Sequence, residues 1–191
     1  MAKYSKLKNK VHPIAYVIGV IFLALIAVVI IFSVPKKSEK MYRDYYNAQI
    51  KVQQFNPELL MTKEHLYKNI NVKDLEKKID SKDLVIVYIG GTWCATCLNE
   101  VAIYSSELKK NEELLAKAKN IYYLEKPETK ELKGYDDFVE KYELGELSYP
   151  ALLSFYNGKL VEVKYIAGQP QPKDIRTAVY AYYNKLYNEI K

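Results

Sequence analysis

"LVIVYIGGTWCATCLNEVAIYSSELKK", residues 84–110, holds the only two cysteines of the 191-residue chain, Cys94 and Cys97. Leu84 to Ile89 form an unbroken apolar run, the pattern of a central strand covered on both faces. Gly90 and Gly91 end it. A helix follows: Cys97, Val101, Tyr104 and Leu108 are spaced i, i+4, i+7 and i+11 and share one face. Cys94 therefore stands where strand turns into helix. The free N–H groups and positive dipole end of a first helical turn stabilise a thiolate, so Cys94 is expected to have a lowered pKa. Cys97, on the apolar face, is expected to be the less exposed thiol. The pair reads as an attacking and a resolving cysteine.

Two other readings of the pair are weaker. A structural zinc site wants four ligands, and the chain adds only His12 and His65 to its two cysteines. A purely structural disulfide across two residues removes little unfolded-state entropy.

Outward from this stretch, the rest of the chain alternates strand and helix. "HLYKNI" (65–70) reads as a weak first strand. "NVKDLEKKI" (71–79) reads as a helix with Asn71 as N-cap and Val72, Leu75 and Ile79 on one face. After the cysteine helix come a strand "NIYYLE" (120–125), a short helix "YDDFVEKY" (135–142) with acids in its first turn, and a strand "ALLSFY" (151–156). Asn157-Gly158 is a hairpin signal. It leads into "KLVEVKYI" (159–166), where Val161, Val163 and Tyr165 alternate onto one face. Ile175, Val179, Tyr182, Leu186 and Ile190 mark a closing amphipathic helix. The order β-α-β-α-β-α-β-β-α, with a hairpin after a βαβ series, implies an α/β domain whose mixed sheet is flanked by helices on both faces.

Toward the N-terminus the composition changes. "IAYVIGVIFLALIAVVIIFSV" (14–34) is 21 residues without a charge, long enough to span a hydrocarbon core of roughly 30 Å. The run exceeds the apolar core of a signal peptide, "SVPKKS" offers no A-x-A-like cleavage site, and no cysteine follows for lipidation. It reads as an uncleaved signal-anchor, with residues 1–13 as a basic cytoplasmic tail. Lys3, Lys6, Lys8 and Lys10 before the span are nearly matched by Lys36, Lys37, Lys40 and Arg43 after it. The free amino terminus tips the orientation to N-in, C-out. Residues 35–62, polar and aromatic and broken by Pro57, read as a partly helical stalk, leaving 63–191 as the domain. The domain then faces an oxidising compartment, where a cysteine pair works as a disulfide. Residues 1–34 hold four of the 29 basic residues and no acid, so the remainder, with 25 basic against 23 acidic residues, is nearly neutral. No basic stripe marks a nucleic-acid surface. The 19 tyrosines show no repeat and read as packing residues.

Taken together, Trp93-Cys94-x-x-Cys97 after an apolar strand, and "SYP" (148–150) before "ALLSFYNGKLVE", resemble the thioredoxin family over residues 65–191. The resemblance implies a thioredoxin-like fold in which Pro150 is cis and faces the cysteine pair. It also implies that the Tyr149 backbone lies beside the disulfide as a substrate-binding edge, and that Trp93 is an apolar surface next to the sulfur. By resemblance, the activity is thiol–disulfide exchange with the Cys94–Cys97 dithiol as its own redox group and no bound cofactor. The implied partners are exported or cell-surface proteins carrying thiols or disulfides, together with a membrane redox partner that recycles the pair. The anchored layout is similar to membrane-tethered members in Gram-positive bacteria, including bacteriocin transport accessory proteins.

Two departures stand out. The family's buried aspartate, six residues before the first cysteine, is replaced by Tyr88, a poor base at neutral pH. Glu100, one turn after Cys97, is the candidate acid/base in its place, although a solvated helix position is its ordinary expectation. Ala95-Thr96 between the cysteines matches neither the Gly-Pro of thioredoxin nor the Pro-His of strong oxidants, so the resemblance does not fix the direction of electron flow. The alternative function is a thioredoxin-like accessory or metallochaperone module. Copper carriers of the fold add a later histidine, and none follows His65 here.

Overall fold

The computed structural model describes residues 17–26, 37–164 and 172–191. The chain divides into two units, Met1–Lys36 and Lys37–Lys191. In the first, residues 17–26 are helical and their apolar side chains are exposed, Leu23 at 67%. Among the described residues no helix is long and apolar enough to cross a membrane. The expected span 14–34 has both ends outside the described residues, as do the tail 1–13 and His12.

In the second unit the chain runs α1 (Lys37–Lys51), a 3-10 turn (Pro57–Leu59), β1 (Tyr67–Asn69), α2 (Val72–Asp80), β2 (Val85–Gly90) and α3 (Ala95–Lys110). It continues through α4 (Glu112–Ala118), β3 (Ile121–Glu125), α5 (Tyr135–Lys141), β4 (Ala151–Tyr156), β5 (Lys159–Lys164) and α6 (Pro172–Glu189). The sheet order is β1-β3-β2-β4-β5. β3 pairs in parallel with β1 and β2, while β4 is antiparallel to both β2 and β5. This is the expected mixed sheet.

β2 is buried along its whole length because both faces are covered. Its alternate side chains divide between two cores. Ile86 and Tyr88 pack with residues of α1, α3 and α6. Val85, Val87 and Ile89 pack with α2 and α5. Burying each such aliphatic side chain contributes about 1.5–3 kcal/mol, which explains why an uninterrupted apolar run occupies the middle of the sheet.

Local signals act as their chemistry requires. The Asn71 side chain accepts the Asp74 N–H at 2.9 Å and starts α2. Asn157 and Gly158 both take positive φ, 52° and 78°, the geometry of a tight hairpin turn between β4 and β5. The first strand shortens to three residues. β5 ends at Lys164, and Tyr165 and Ile166 lie outside the described residues. One helix was not expected. Asn111 ends α3 and caps α4, accepting the Leu114 N–H at 3.0 Å.

The largest difference concerns residues 35–62. From Lys37 onward they are not a stalk but part of the domain. Met41, Tyr45 and Gln49 recur every fourth residue on one face of α1, and all three are buried. Tyr45 meets Tyr123 edge-on at 5.9 Å. The Gln49 carboxamide donates to the carbonyls of Leu59 (2.9 Å) and Leu98 (2.7 Å) and accepts the Met61 N–H (2.8 Å). The domain boundary therefore lies near Lys37 rather than at residue 63.

Truncating Gln49 strands three buried backbone groups, each costing about 1–3 kcal/mol when unsatisfied. Gln49→Ala is expected to lower unfolding stability by roughly 3 kcal/mol in denaturant titrations. A change within about 0.5 kcal/mol, typical of a plain surface site, would return the segment to a linker.

Candidate active site

The site is built at the turn from β2 into α3. Cys94 is the N-cap of α3 in extended conformation, φ −89° and ψ 114°. Its Sγ accepts the Cys97 N–H at 3.1 Å. A sulfur thus occupies the place where helix N-termini ordinarily hold a hydroxyl or carboxylate. No acid lies in the first turn to oppose a thiolate there. Cys94 and Cys97 form a disulfide with Cα atoms 5.1 Å apart. Cys94 is 8% exposed and Cys97 is fully buried, the asymmetry expected of attacking and resolving sulfurs.

Two glycines make the turn possible. A Cβ on Gly90 would lie 3.0 Å from both the Cys97 Sγ and the Tyr88 hydroxyl. One on Gly91 would lie 2.4 Å from the Trp93 Nε1 and 2.7 Å from the Lys126 carbonyl. Trp93 is held by that same carbonyl, donating its Nε1–H at 2.8 Å. Trp93 stays 42% exposed, and its ring meets Tyr149 edge-on at 5.9 Å. It is a surface tryptophan and not a core one.

Across the disulfide, the Tyr149–Pro150 peptide bond is cis. The Tyr149 carbonyl oxygen lies 3.6 Å from the Cys94 Sγ. The Tyr149 hydroxyl is 2.8 Å from that of Tyr135 on α5, which ties the loop to the helix. Trp93, Cys94, Cys97, Tyr149 and Pro150, named from sequence, thus converge on one edge of the domain.

Below the disulfide lies a cluster of phenols. The Tyr88 hydroxyl is fully buried, 3.4 Å from the Cys97 carbonyl and 3.4 Å from the Tyr45 hydroxyl. The Tyr88 ring packs against Tyr67, Tyr104 and Tyr123 at 5.5–5.9 Å. The Tyr67 hydroxyl donates to the Val101 carbonyl of α3, and that of Tyr183 donates to the Tyr104 carbonyl at 3.0 Å. Burial pushes all of these phenols well above the ordinary tyrosine range. Tyr88 is therefore a neutral group at physiological pH and no base, as its residue type implies.

Glu100 departs from its ordinary expectation. It is not on a solvated face but fully buried, and its carboxylate accepts the Tyr104 hydroxyl. The same charge helps raise Tyr104, after desolvation. A carboxylate thus lies among the phenols one helical turn from Cys97. Sequence reasoning missed Tyr45, Gln49 and Tyr135 as supports of the site. The four-residue spacing of Met41, Tyr45 and Gln49 was the available signal for the first two. Among the described residues no group of three or more His, Cys, Asp or Glu is placed to hold a metal ion.

No protein-family model matches the chain. Among solved structures it is similar to oxidised thioredoxin O2 from Arabidopsis thaliana, at 15% identity over 62% of this chain and 96% of that one, with a TM-score of 0.44. It is similar to the oxidised thioredoxin from Plasmodium falciparum, at 15% identity over 61% and 98% of the two chains, TM-score 0.40. It is also similar to the J-Trx1 fragment of ERdj5, at 16% identity and TM-score 0.38 over 62% of this chain, spanning about half (52%) of that fragment's length. The narrower resemblance to bacteriocin transport accessory proteins finds no support in these comparisons. The fold assignment rests on the chain's own strand order, the cysteine pair at the β2–α3 turn and the cis peptide opposite it: the second unit has the thioredoxin-like α/β fold.

The phenol cluster sets an alkaline limit. A folded pKa raised above the unfolded value near 10 means that the native state holds protons the unfolded state has lost. The stabilisation is complete below about pH 10 and falls as pH rises beyond it. Absorbance titration should show Tyr45, Tyr67, Tyr88, Tyr104, Tyr123 and Tyr183 ionising only together with unfolding. Titration of all 19 tyrosines before any loss of near-ultraviolet dichroism would contradict the burial argument.

Proposed function

We propose that this chain is a thiol–disulfide oxidoreductase, held in the cell membrane by residues 14–34, with its domain on the extracytoplasmic side. The observation that carries the chemistry is the Cys94 sulfur. It sits at a helix N-terminus, belongs to a more exposed residue than its partner sulfur, and lies 3.6 Å from the Tyr149 backbone carbonyl. In the reducing direction the Cys94 thiolate attacks a substrate disulfide. One substrate thiolate leaves and takes a proton, and a mixed disulfide remains. Cys97 then loses its proton and attacks the Cys94 sulfur, releasing the second substrate thiolate. The pair is oxidised by two electrons and the substrate reduced by two. In the oxidising direction every step reverses. The Cys94–Cys97 pair is the redox group, and a membrane dithiol or disulfide partner restores it.

Glu100 is the candidate acceptor for the Cys97 proton, since it is buried one turn along α3 and belongs to the hydrogen-bonded phenol cluster. The anchor reading is supported by the charge-free run 14–34 and by the exposed apolar side chains of residues 17–26. A helix apolar on all sides is at home in lipid. The basic N-terminal tail favours the cytoplasmic side, in the layout of Gram-positive tethered proteins. The partners on this reading are exported or cell-surface proteins bearing thiols or disulfides.

Insulin reduction is expected to fall to the uncatalysed background in Cys94→Ser, and undiminished activity would sink the enzyme reading. Cys97→Ala should accumulate mixed disulfides through Cys94, visible on non-reducing gels. Glu100→Gln should slow the decay of those adducts in an otherwise native pair and shift its pH profile, while leaving attack by Cys94 unchanged. For the topology, protease added to intact cells should remove the domain, and full protection would reverse the proposed orientation.

A further inference from the structure

Resting on the oxidoreductase reading, we propose that a groove beside Tyr149 selects substrate segments that carry lysine or arginine together with an apolar side chain next to the reacting cysteine. The groove measures about 700 Å³ and runs between α5 and the chain leading to the cis peptide. Its walls are apolar, from Tyr135, Val139, Leu147 and Tyr149. Tyr149 belongs to both places: its side chain lines the groove, and its carbonyl lies 3.6 Å from the Cys94 sulfur. A polypeptide bound by its cysteine at Cys94 and extended past Tyr149 lays its neighbouring residues into the groove.

The remaining lining residues set the charge. Asp136, Glu140, Glu143 and Glu146 all border the groove and all are exposed. No lysine or arginine lines it. None of the four carboxylates is in an ion pair among the described residues. The basic residue of α5, Lys141, is turned away, bonded to Glu76 at 3.0 Å and over the Tyr142 ring. Lys126 stacks over Tyr135 at 5.4 Å and does not line the groove. This charge is not the tone of the whole protein, which is formally +6. Each exposed pair with an incoming cation is weak, and a row of carboxylates along one groove adds attraction and steering. The same row repels acidic segments, and so acts as selection against the wrong substrate. The apolar walls supply the contact that a purely ionic surface lacks.

The test separates docking from redox chemistry. Two peptides of equal length, with serine in place of cysteine, are titrated onto the full chain in nonionic detergent by calorimetry. One carries Lys and Leu around the serine, and the other Glu and Leu. The Lys peptide is expected to bind about tenfold tighter or more at low salt, and the difference to shrink as salt rises. The combined variant Asp136→Asn, Glu140→Gln, Glu143→Gln and Glu146→Gln should lose the preference. Equal binding of the two peptides to the unmodified chain, or a preference that survives in the variant, overturns the proposal. The unmodified chain alone decides the first point, so a variant that fails to fold does not leave the question open. Since these peptides have no sulfur, failure of every disulfide assay would count against the oxidoreductase reading alone.

Discussion

One hydrogen bond organises the site: the Cys97 amide donating to the Cys94 sulfur at the start of α3. It requires a helix to begin at Cys94 itself. That in turn requires a strand to deliver the chain to that point with almost no loop. β2 does so because it is buried on both faces and pinned between β3 and β4. Gly90 and Gly91 let the turn close against Cys97, Trp93 and the Lys126 carbonyl without a side chain in the way. The position of Tyr149 follows from the same sheet, since β4 pairs antiparallel to β2 and brings its leading residues up to the sulfur.

The site substitutes phenols and a displaced carboxylate for the acid that the thioredoxin resemblance leads one to expect under the second cysteine. Tyr88 cannot supply a charge there, because burial holds its proton. It supplies packing and a hydroxyl near the Cys97 carbonyl. Glu100 reaches the cluster from α3 rather than from the sheet. A side chain on the helix moves with the helix, and Gln49 in turn ties that helix to α1 through the Leu98 carbonyl. The active-site helix is thus held from both sides by polar groups that the hydrophobic pattern does not register.

That explains which parts were legible in the sequence. β2 was readable because two-sided burial leaves an unbroken apolar run. The hairpin was readable because two successive positive φ angles demand residues such as Asn157 and Gly158. The convergence of Trp93, Cys94, Cys97, Tyr149 and Pro150 came from the family resemblance, since no local pattern joins residues fifty positions apart. α1 escaped because its anchor residue is a buried glutamine, and a polar residue reads as solvent-facing until its backbone partners are seen. Glu100 was named as the candidate acid/base, but its burial escaped for the same reason. α4 spans only seven residues, too short for a periodic pattern to stand out beside Asn111 and its acids.

The two margins of the sheet bear on colloidal behaviour. β1 is only three residues long, and β5 carries Lys159 and Glu162, the latter bonded to Lys185. Short or charged margins are poor templates for stray strands. On the proposed function, an extended client segment is such a strand. On that reading, guarded margins leave the backbone at Tyr149 to meet an extended client, so that encounters would end in exchange of sulfur partners rather than in aggregation.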